Sequence, residues 1–165
     1  SGESDMEGMG ESISNGLEVI QENGKTRIKV NAKNSEVSYV IDGIEYAADS
    51  LKNGIPDEIA TVNMITSPTN AKKSYVVINT KQKKGQFISY ANGVLKYKYN
   101  KQEYTLNPEK LEEPALVINN RLTRSFNIDP VQIIQIRPAS ELERQLLGAP
   151  SAQVIIVTDK MGFFF

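Results

Sequence analysis

Apolar and polar residues alternate along most of the chain from Leu17 onward, which is the pattern of β-strands rather than of helices. The stretch "LEVIQENGKTRIKVNAKNSEVSYVIDGIEY" predicts strands near residues 17–22, 25–31 and 37–41. An Asn23-Gly24 pair separates the first two and is a strong hairpin signal, because both residue types tolerate positive φ. The chain is therefore predicted to begin its folded part with a β-hairpin.

The segment "GQFISYANGVLKYKYNKQEYTL" has the same pattern. Asn92-Gly93 joins a predicted strand at 86–91 to one at 94–99, and Asn100-Lys101 turns the chain into a third at 103–106. A second set of antiparallel strands is therefore predicted here.

Tyrosines and lysines alternate in the middle strand of this segment. Tyr97 and Tyr99 fall on one face, and Lys96 and Lys98 fall on the other. Such a strand could be a stacking platform for single-stranded nucleic acid. We favour sheet packing with a solvated lysine face, because 19 lysines and arginines against 20 aspartates and glutamates leave no basic field.

Two stretches, residues 38–85 and 115–162, carry the same order of signals. Each begins with a short apolar strand and a polar turn, "YVIDG" or "LVINN". An isoleucine, a proline and a second isoleucine follow: Ile55, Pro56 and Ile59 in one stretch, Ile128, Pro130 and Ile133 in the other. A second strand comes next (60–65 or 134–137), and a β-branched run ending in threonine closes each stretch (75–80 or 154–158). The closing runs predict central strands covered on both faces, and we interpret the stretches as two degenerate copies of one unit.

Short helices are predicted between these strands. In both copies the proline presets the first helical φ and an aspartate, Asp57 or Asp129, can cap free amides, so one helical turn is expected. "SELERQLLG" predicts an amphipathic helix with Ser140 as N-cap, Glu143 completing a capping box and Gly148 as the stop. The first copy has "SPTNAKK" instead, which predicts a loop.

The chain contains neither cysteine nor histidine. Disulfides, thiolate nucleophiles, imidazole bases and the commonest transition-metal ligands are therefore excluded. We predict no enzyme, and no catalytic, cofactor-binding or metal-binding residue. The alternative is a carboxylate-dependent hydrolase or accessory domain acting on cell-wall or glycan substrates through Asp57, Glu58 and Asp129, for which capping is the favoured interpretation.

Several shorter segments allow two interpretations. Lys81, Lys83 and Lys84, like "NAKNSE", could contact phosphates or lipid headgroups, but a solvated edge that discourages sheet addition is favoured. "EKLEEP" predicts a linker helix before Pro114. The terminal "FFF" is either the edge of a core or the site of a cut. Residues 1–15 are polar and glycine-rich, which predicts a cloning remnant and flexible linker, with the natural protein expected to begin upstream.

The order of these elements resembles the plug region of TonB-dependent outer-membrane receptors. The pattern is a strand, a V-I-D-G turn, I-x-P-x-x-I, a strand, a short helix and V-I-I-I-T-x-K-x-G. It is carried by Val40, Ile41, Asp42, Gly43, Ile55, Pro56, Ile59 and residues 76–81 in the first copy, and by Val117, Ile118, Ile128, Asp129, Pro130, Ile133, Ile136, Leu147, Gly148, residues 154–158 and Gly162 in the second. Similar modules are appended to envelope proteins of Gram-negative bacteria, including periplasmic tails of membrane metallopeptidases of the antibiotic-sensing type. The second copy departs from the pattern at Asn119-Asn120 and Ala152-Gln153, and the strands of a receptor barrel are not present, so we do not expect a transporter.

The resemblance implies an α+β fold of two small plug-like strand-helix-strand repeats with β-hairpins. The predicted organisation is a linker or remnant (1–15), N-terminal strands with the first repeat (16–85), a β-hairpin and linker (86–113), and the second repeat (114–165). The implied function is a non-catalytic interaction or sensing module of the cell envelope, outer-membrane-associated and facing the periplasm. Its expected partner is a protein, peptide or glycan, with no nucleic acid, no cofactor, and membrane contact only through a segment outside this chain.

Overall fold

A computed structural model of the chain describes residues 13–14, 17–30, 36–82 and 87–159. The chain divides into two compact units, of which the first extends to Thr80 and the second begins at Lys81. Strands dominate both units, and the described residues contain one α-helix, so the fold is a strand-rich α+β arrangement. Among the described residues, each unit holds one three-stranded and one four-stranded sheet.

The first unit begins with a three-stranded antiparallel sheet and continues into a four-stranded one. Its strands are β1 (Ile13–Ser14), β2 (Leu17–Glu22), β3 (Lys25–Val30), β4 (Glu36–Ile41), β5 (Ile44–Ala47), β6 (Ile59–Thr66) and β7 (Lys73–Thr80). The strand orders are β1-β2-β3 and β5-β4-β7-β6. Strands β4 and β7 are parallel, and the other neighbours are antiparallel. A 3-10 helix (Ala48–Leu51) follows β5.

One buried cluster of the first unit lies on one face of its four-stranded sheet. Tyr39, Ile55, Val76 and Ile78 are buried together there. Strand β7 is central and is buried throughout Ser74–Thr80, as its β-branched sequence predicted.

The second unit has the same succession of sheets. Its strands are β8 (Ile88–Ala91), β9 (Val94–Tyr99), β10 (Gln102–Leu106), β11 (Leu116–Ile118), β12 (Arg121–Thr123), β13 (Ile133–Pro138) and β14 (Val154–Thr158), and its α-helix is α1 (Glu141–Leu146). The orders are β8-β9-β10 and β12-β11-β14-β13, with β11 and β14 parallel. Two 3-10 helices, Pro108–Lys110 and Pro130–Gln132, lie between strands. The buried cluster that joins the two sheets comprises Leu95, Tyr97, Leu116, Phe126, Ile136, Val154 and Ile156.

The two four-stranded sheets share details beyond strand order. Pairing of β6 with β7 shifts register between Ile59 and Thr61, and pairing of β13 with β14 shifts between Ile133 and Gln135. In both four-stranded sheets, the two central strands are parallel. The first residue of the turn that follows β4 or β11 forms hydrogen bonds with the threonine that ends the other central strand, β7 or β14. Asp42 accepts hydrogen bonds from the N–H and Oγ1 of Thr80, at 2.9 and 2.6 Å. The same pair of side-chain hydrogen bonds thus joins the turn to the neighbouring central strand in both sheets.

In the four-stranded sheet of the second unit, the corresponding hydrogen bonds join Asn119 and Thr158. Oδ1 of Asn119 accepts from the N–H of Thr158 at 3.0 Å, and its Nδ2 donates to Oγ1 at 2.8 Å. An amide therefore makes both contacts that a carboxylate makes in the first sheet.

Most predicted elements are confirmed. Strands 17–22, 94–99 and 154–158 have the predicted bounds, and 67–72 is a loop between β6 and β7. Helix α1 begins at the predicted capping box, in which the Ser140 hydroxyl accepts from the Glu143 N–H and the Glu143 carboxylate accepts from the Ser140 N–H. Positive φ angles occur at the predicted turn residues, including 52° at Asn23 and 54° at Asn92.

One helix prediction is wrong, and another holds only in part. The segment at Pro56 forms no helical turn, because Ile55 instead pairs its backbone with Thr26 as an isolated β-bridge. "EKLEEP" forms helix only within Pro108–Lys110, and bends follow. The predictions for residues 1–12, 31–35, Lys83, Lys84, Gln86, Gly162 and the terminal phenylalanines lie outside the described residues.

Candidate functional site

The three carboxylates considered for hydrolysis are divided between the two units. Asp57 and Glu58 are exposed between Ile55 and β6 in the first unit. Asp129 belongs to the second unit and caps the 3-10 helix there, with Oδ1 accepting from the Val131 N–H at 3.1 Å. The capping interpretation is confirmed for Asp129. Within the described ranges, no group of three or more acidic residues is arranged to hold a metal ion.

The tyrosine-lysine strand is β9, and its tyrosine face points into the core. Tyr97 is 2% exposed and stacks on Tyr104, with ring centroids 5.0 Å apart and planes 12° apart. Lys96 is exposed on the opposite face of β9. Lys81, which follows β7, is also exposed. Sheet packing is therefore the confirmed interpretation, because a buried ring offers no face for a base to stack on.

A groove in the first unit is a candidate binding site. Its volume is about 430 Å³, and it runs between the β2–β3 hairpin and the 3-10 helix that follows β5. Its lining residues are Ile20, Glu22, Thr26, Arg27, Ile28, Lys29, Tyr39, Ala48, Leu51, Lys52 and Ile55. We call this surface the first-unit groove.

One wall of the first-unit groove is fixed by a backbone bridge. Thr26 N–H donates to Ile55 O at 3.1 Å, and Ile55 N–H donates to Thr26 O at 2.8 Å. Gly54, at φ +88°, makes this approach feasible, since a Cβ on it would lie 3.1 Å from the Lys25 Cβ and 3.2 Å from the Thr26 carbonyl. The loop is thereby held against the outer edge of β3.

The outer edge of β3 continues into the groove. Backbone groups on a strand alternate in direction, so Ile28, two residues after Thr26, directs its N–H and C=O to the same side. The hydroxyl of Tyr39 donates to this carbonyl at 3.3 Å. Burial raises the pKa of Tyr39, which keeps the phenol protonated and able to donate. A strand edge with polar backbone groups therefore faces an apolar floor.

The rim of the first-unit groove is mainly cationic. Arg27, Lys29 and Lys52 line it, against one carboxylate, Glu22. Glu22 forms an exposed ion pair with Arg27 at 3.1 Å. This arrangement can accept a ligand that combines apolar groups with negative charge, and it lacks the second carboxylate that paired-acid hydrolysis requires.

The second unit has a groove on the corresponding strands, with different chemistry. It measures about 290 Å³ and is lined by Tyr97 and Tyr104 on β9 and β10 and by Arg144 from α1. Arg144 is held by the carbonyls of Ala139 and Ala152, at 3.1 and 3.2 Å. By the equal spacing of the two units, Tyr104 occupies the strand position that Arg27 occupies in the first-unit groove, and Tyr97 occupies that of Ile20.

Sequence reasoning did not find the first-unit groove. The loop at Ile55 contacts β3, which lies far from it in sequence. The local pattern of neither segment predicts that contact. The alternating basic residues Lys25, Arg27 and Lys29 were the available signal, since they mark a cationic strand face.

The fold is thus a strand-rich α+β chain with a cationic groove in its first unit. Comparison with protein-family models, curated proteins and solved structures finds no match for this chain. Within the described part of the chain, no helix is long and apolar enough to cross a bilayer.

Proposed function

We propose that this chain is a non-catalytic interaction or sensing module that binds an acidic, apolar peptide segment of a partner protein in the first-unit groove. The observation that carries the proposal is the combination of a cationic rim with an apolar floor along the edge of β3. Ile28 and Leu51 supply apolar surface, and Lys29 and Lys52 supply positive charge. Of the protein, peptide or glycan partners that the sequence analysis allowed, a peptide fits this chemistry best.

The strand edge favours a peptide over a glycan. The Ile55 segment already pairs with β3 at Thr26, and an extended ligand could continue that pairing at Ile28. Main-chain hydrogen bonds of this kind give affinity, while alternate side chains give specificity. A glycan has no regular series of amide donors and carbonyl acceptors with which to extend a sheet.

We further propose that the chain consists of two tandem copies of one unit. Support comes from the shared strand orders, the shared register shifts, and the matching Asp42–Thr80 and Asn119–Thr158 pairs. Ser14 pairs with Leu17 in the first unit, and Ala91 pairs with Val94 in the second. Because the spacing from Ser14 to Asp42 equals that from Ala91 to Asn119, the proposal includes the three-stranded sheets in the copies. The proposed unit is therefore larger than the plug-like stretches seen in the sequence.

The proposed location, on the periplasmic side of the outer membrane, rests on the resemblance to receptor plugs. A sensing or docking role suits that resemblance, because plug-like modules occur there as appended domains. Detection of this protein in a periplasmic or outer-membrane fraction of its native cells, by antibody, tests this part of the proposal independently of ligand binding.

The groove is tested with a fluorescein-labelled peptide of alternating leucine and glutamate. Fluorescence anisotropy should report saturable binding at one site per chain, weakened by salt because exposed charges are screened. The double variant Lys29→Glu and Lys52→Glu should weaken binding roughly tenfold or more, since two attractive rim charges become repulsive.

The matched control is Lys96→Glu, which reverses an exposed lysine on β9 in the second unit. It should bind the acidic peptide as the unchanged protein does. Equal binding of a leucine-lysine peptide, or equal weakening by the control, would refute the groove assignment. Circular dichroism of both variants establishes that the sheets are retained.

A further inference from the structure

Strand β5 leaves an unusual outer edge on the four-stranded sheet of the first unit. All four of its residues are exposed, including Ile44 at 58% and Tyr46 at 37%. Exposed apolar strand edges are templates for pairing with another chain, and proteins normally blunt them. This edge carries neither lysine nor proline, and Glu45, its single charge, is paired with Lys73 at 3.3 Å.

The other outer strands of the two four-stranded sheets are blunted. Strand β6 carries the register shift near Ile59. Strand β13 also has a shift and is covered by Gln82, whose N–H donates to Ile134 O at 2.9 Å and whose Oε1 accepts from the Ile136 N–H at 2.6 Å. Strand β12 has three residues and begins with an exposed arginine, Arg121. Bulges, short length and charge are the usual protections. Strand β5 is also short and carries Glu45, but its pairing with β4 has no register shift, and its remaining residues are apolar.

The hairpin fixes which backbone groups of β5 face outward. Ile41 and Ile44 flank a two-residue turn and form a hydrogen-bonded pair, so the pair Tyr39 and Tyr46 is hydrogen-bonded as well. Glu45 and Ala47 consequently direct their N–H and C=O groups away from the sheet. The Ala47 carbonyl accepts from the Ser50 hydroxyl at 2.7 Å, and its second lone pair can accept from a further donor.

We propose that β5 pairs antiparallel with β5 of a second copy of this chain, on a two-fold axis at Tyr46. In this register Glu45 faces Ala47 of the other copy, and both pairs exchange two hydrogen bonds. The two Tyr46 rings meet as a non-hydrogen-bonded pair, in which side chains lie closest.

Charge selects this register over the neighbouring one. A two-fold axis at Glu45 would set two carboxylates directly opposite each other, which is unfavourable. With the axis at Tyr46, Glu45 faces an alanine of the other copy, and its ion pair with Lys73 of its own chain is retained. The result is an isologous dimer with one continuous eight-stranded sheet. This pairing is independent of the peptide groove.

A single introduced cysteine tests the register, because the chain has no cysteine of its own. Cysteines at non-hydrogen-bonded positions across an antiparallel pair lie within disulfide range. Tyr46→Cys should form an intermolecular disulfide at least about tenfold faster than Ile44→Cys under mild oxidation, since only the former places the two thiols opposite each other. Ile44 is the stringent control because it is the more exposed position. Equal rates, or a faster rate at Ile44, would overturn the register.

The variant Ala47→Pro tests the dimer without a cross-link. Ala47 has φ −69°, which proline adopts without strain, and its N–H faces outward, so no hydrogen bond within the sheet is removed. Sedimentation velocity should show a concentration-dependent dimer for the unchanged chain, with a dissociation constant raised roughly thirtyfold by the proline, since each copy loses one donor. A monomer at every concentration up to about 1 mM, or a dimer unaffected by the proline, would contradict the proposal.

Discussion

Among the described residues, the most buried charged side chain is that of Arg137, near the end of β13. Its two terminal nitrogens donate to the Glu143 carboxylate at 2.7 and 2.6 Å, and its Nε donates to Gln135 Oε1 at 2.9 Å. Glu143 also accepts from the Ser140 N–H at 3.0 Å. One carboxylate therefore starts helix α1 and attaches it to the sheet.

The carboxylate of Glu143 should be necessary for stability. Glu143→Ala leaves the Arg137 guanidinium buried without its main partner, and we expect the free energy of unfolding to fall by about 3–5 kcal/mol. The double variant Arg137→Met with Glu143→Leu should lose less, because it removes both charges. Denaturant unfolding of the three proteins measures the difference.

Glu141 provides the control for this prediction. Its side chain is 75% exposed and pairs with Arg144 at 3.3 Å. Glu141→Ala should therefore cost no more than about 1 kcal/mol. A loss for Glu143→Ala no larger than this would show that the buried pair does not contribute as described.

Tyr97 should make stability sensitive to alkaline pH. Burial, together with neighbouring Tyr104, raises the pKa of Tyr97 above its ordinary value near 10, and the positive charge of Arg137 offsets this only in part. The unfolded chain then binds fewer protons than the folded chain above about pH 10, so the free energy of unfolding falls there, by about 1.4 kcal/mol per pH unit.

Tyr97→Phe removes the ionisable hydroxyl and should flatten the alkaline fall, leaving the smaller contribution of Tyr39. Urea unfolding at several pH values between about 9 and 11 provides the measurement. An identical pH profile for the variant and the unchanged protein would show that Tyr97 is not the group responsible.

At the scale of elements, the turns that follow β4 and β11 anchor each sheet through a single side chain. Asp42 and Asn119 both have φ of 51°, in a region where aspartate and asparagine are the best tolerated residues after glycine. Their side chains reach Thr80 and Thr158 on the neighbouring parallel strands. The turn residue thus fixes the register of the central pair of strands.

Exchange of the two side-chain types is predicted to be mild. Asp42→Asn should change the free energy of unfolding by less than about 1 kcal/mol, because Asn119 makes both contacts in the second sheet. Asp42→Ala should cost about 2–4 kcal/mol, since it removes hydrogen bonds to a charged group and places a Cβ-bearing residue without local hydrogen bonds at positive φ. Thermal or denaturant unfolding compares them, and equal losses would contradict the shared role.

Local signals predicted most elements correctly, for physical reasons that can be named. Asn-Gly turns, the Ser140 capping box and the β-branched run of β14 are all determined by neighbours in sequence. Strands β5 and β12 were missed because "IEYA" and "RLT" are too short to establish an alternating pattern. They exist because a two-residue turn returns the chain alongside β4 or β11.

Features that depend on distant contacts could not be predicted. The turn expected at Pro56 gave way to the Thr26–Ile55 bridge, which joins the loop to a strand far from it in sequence. The same bridge forms one wall of the first-unit groove, so the proposed binding site and the incorrect prediction have one cause. Asp129, by contrast, caps its own neighbours, and a local rule sufficed.

At the scale of the whole molecule, two units with similar sheets carry different surfaces. The first unit presents the cationic groove and the open β5 edge, and the second presents an aromatic groove and a protected edge. If both proposals hold, a dimer would bring two peptide grooves into one assembly. Linked sites of that kind raise the apparent affinity for a partner with two acidic segments.

The division into two units also affects folding during synthesis. Strands β4, β5, β6 and β7, which complete the first four-stranded sheet, end at Thr80, before any residue of the second unit has been synthesised. Domains generally fold as units, N-terminal first, while the ribosome is still extending the chain. A growing chain can therefore finish one sheet before a competing set of similar strands emerges, which limits cross-pairing between the two.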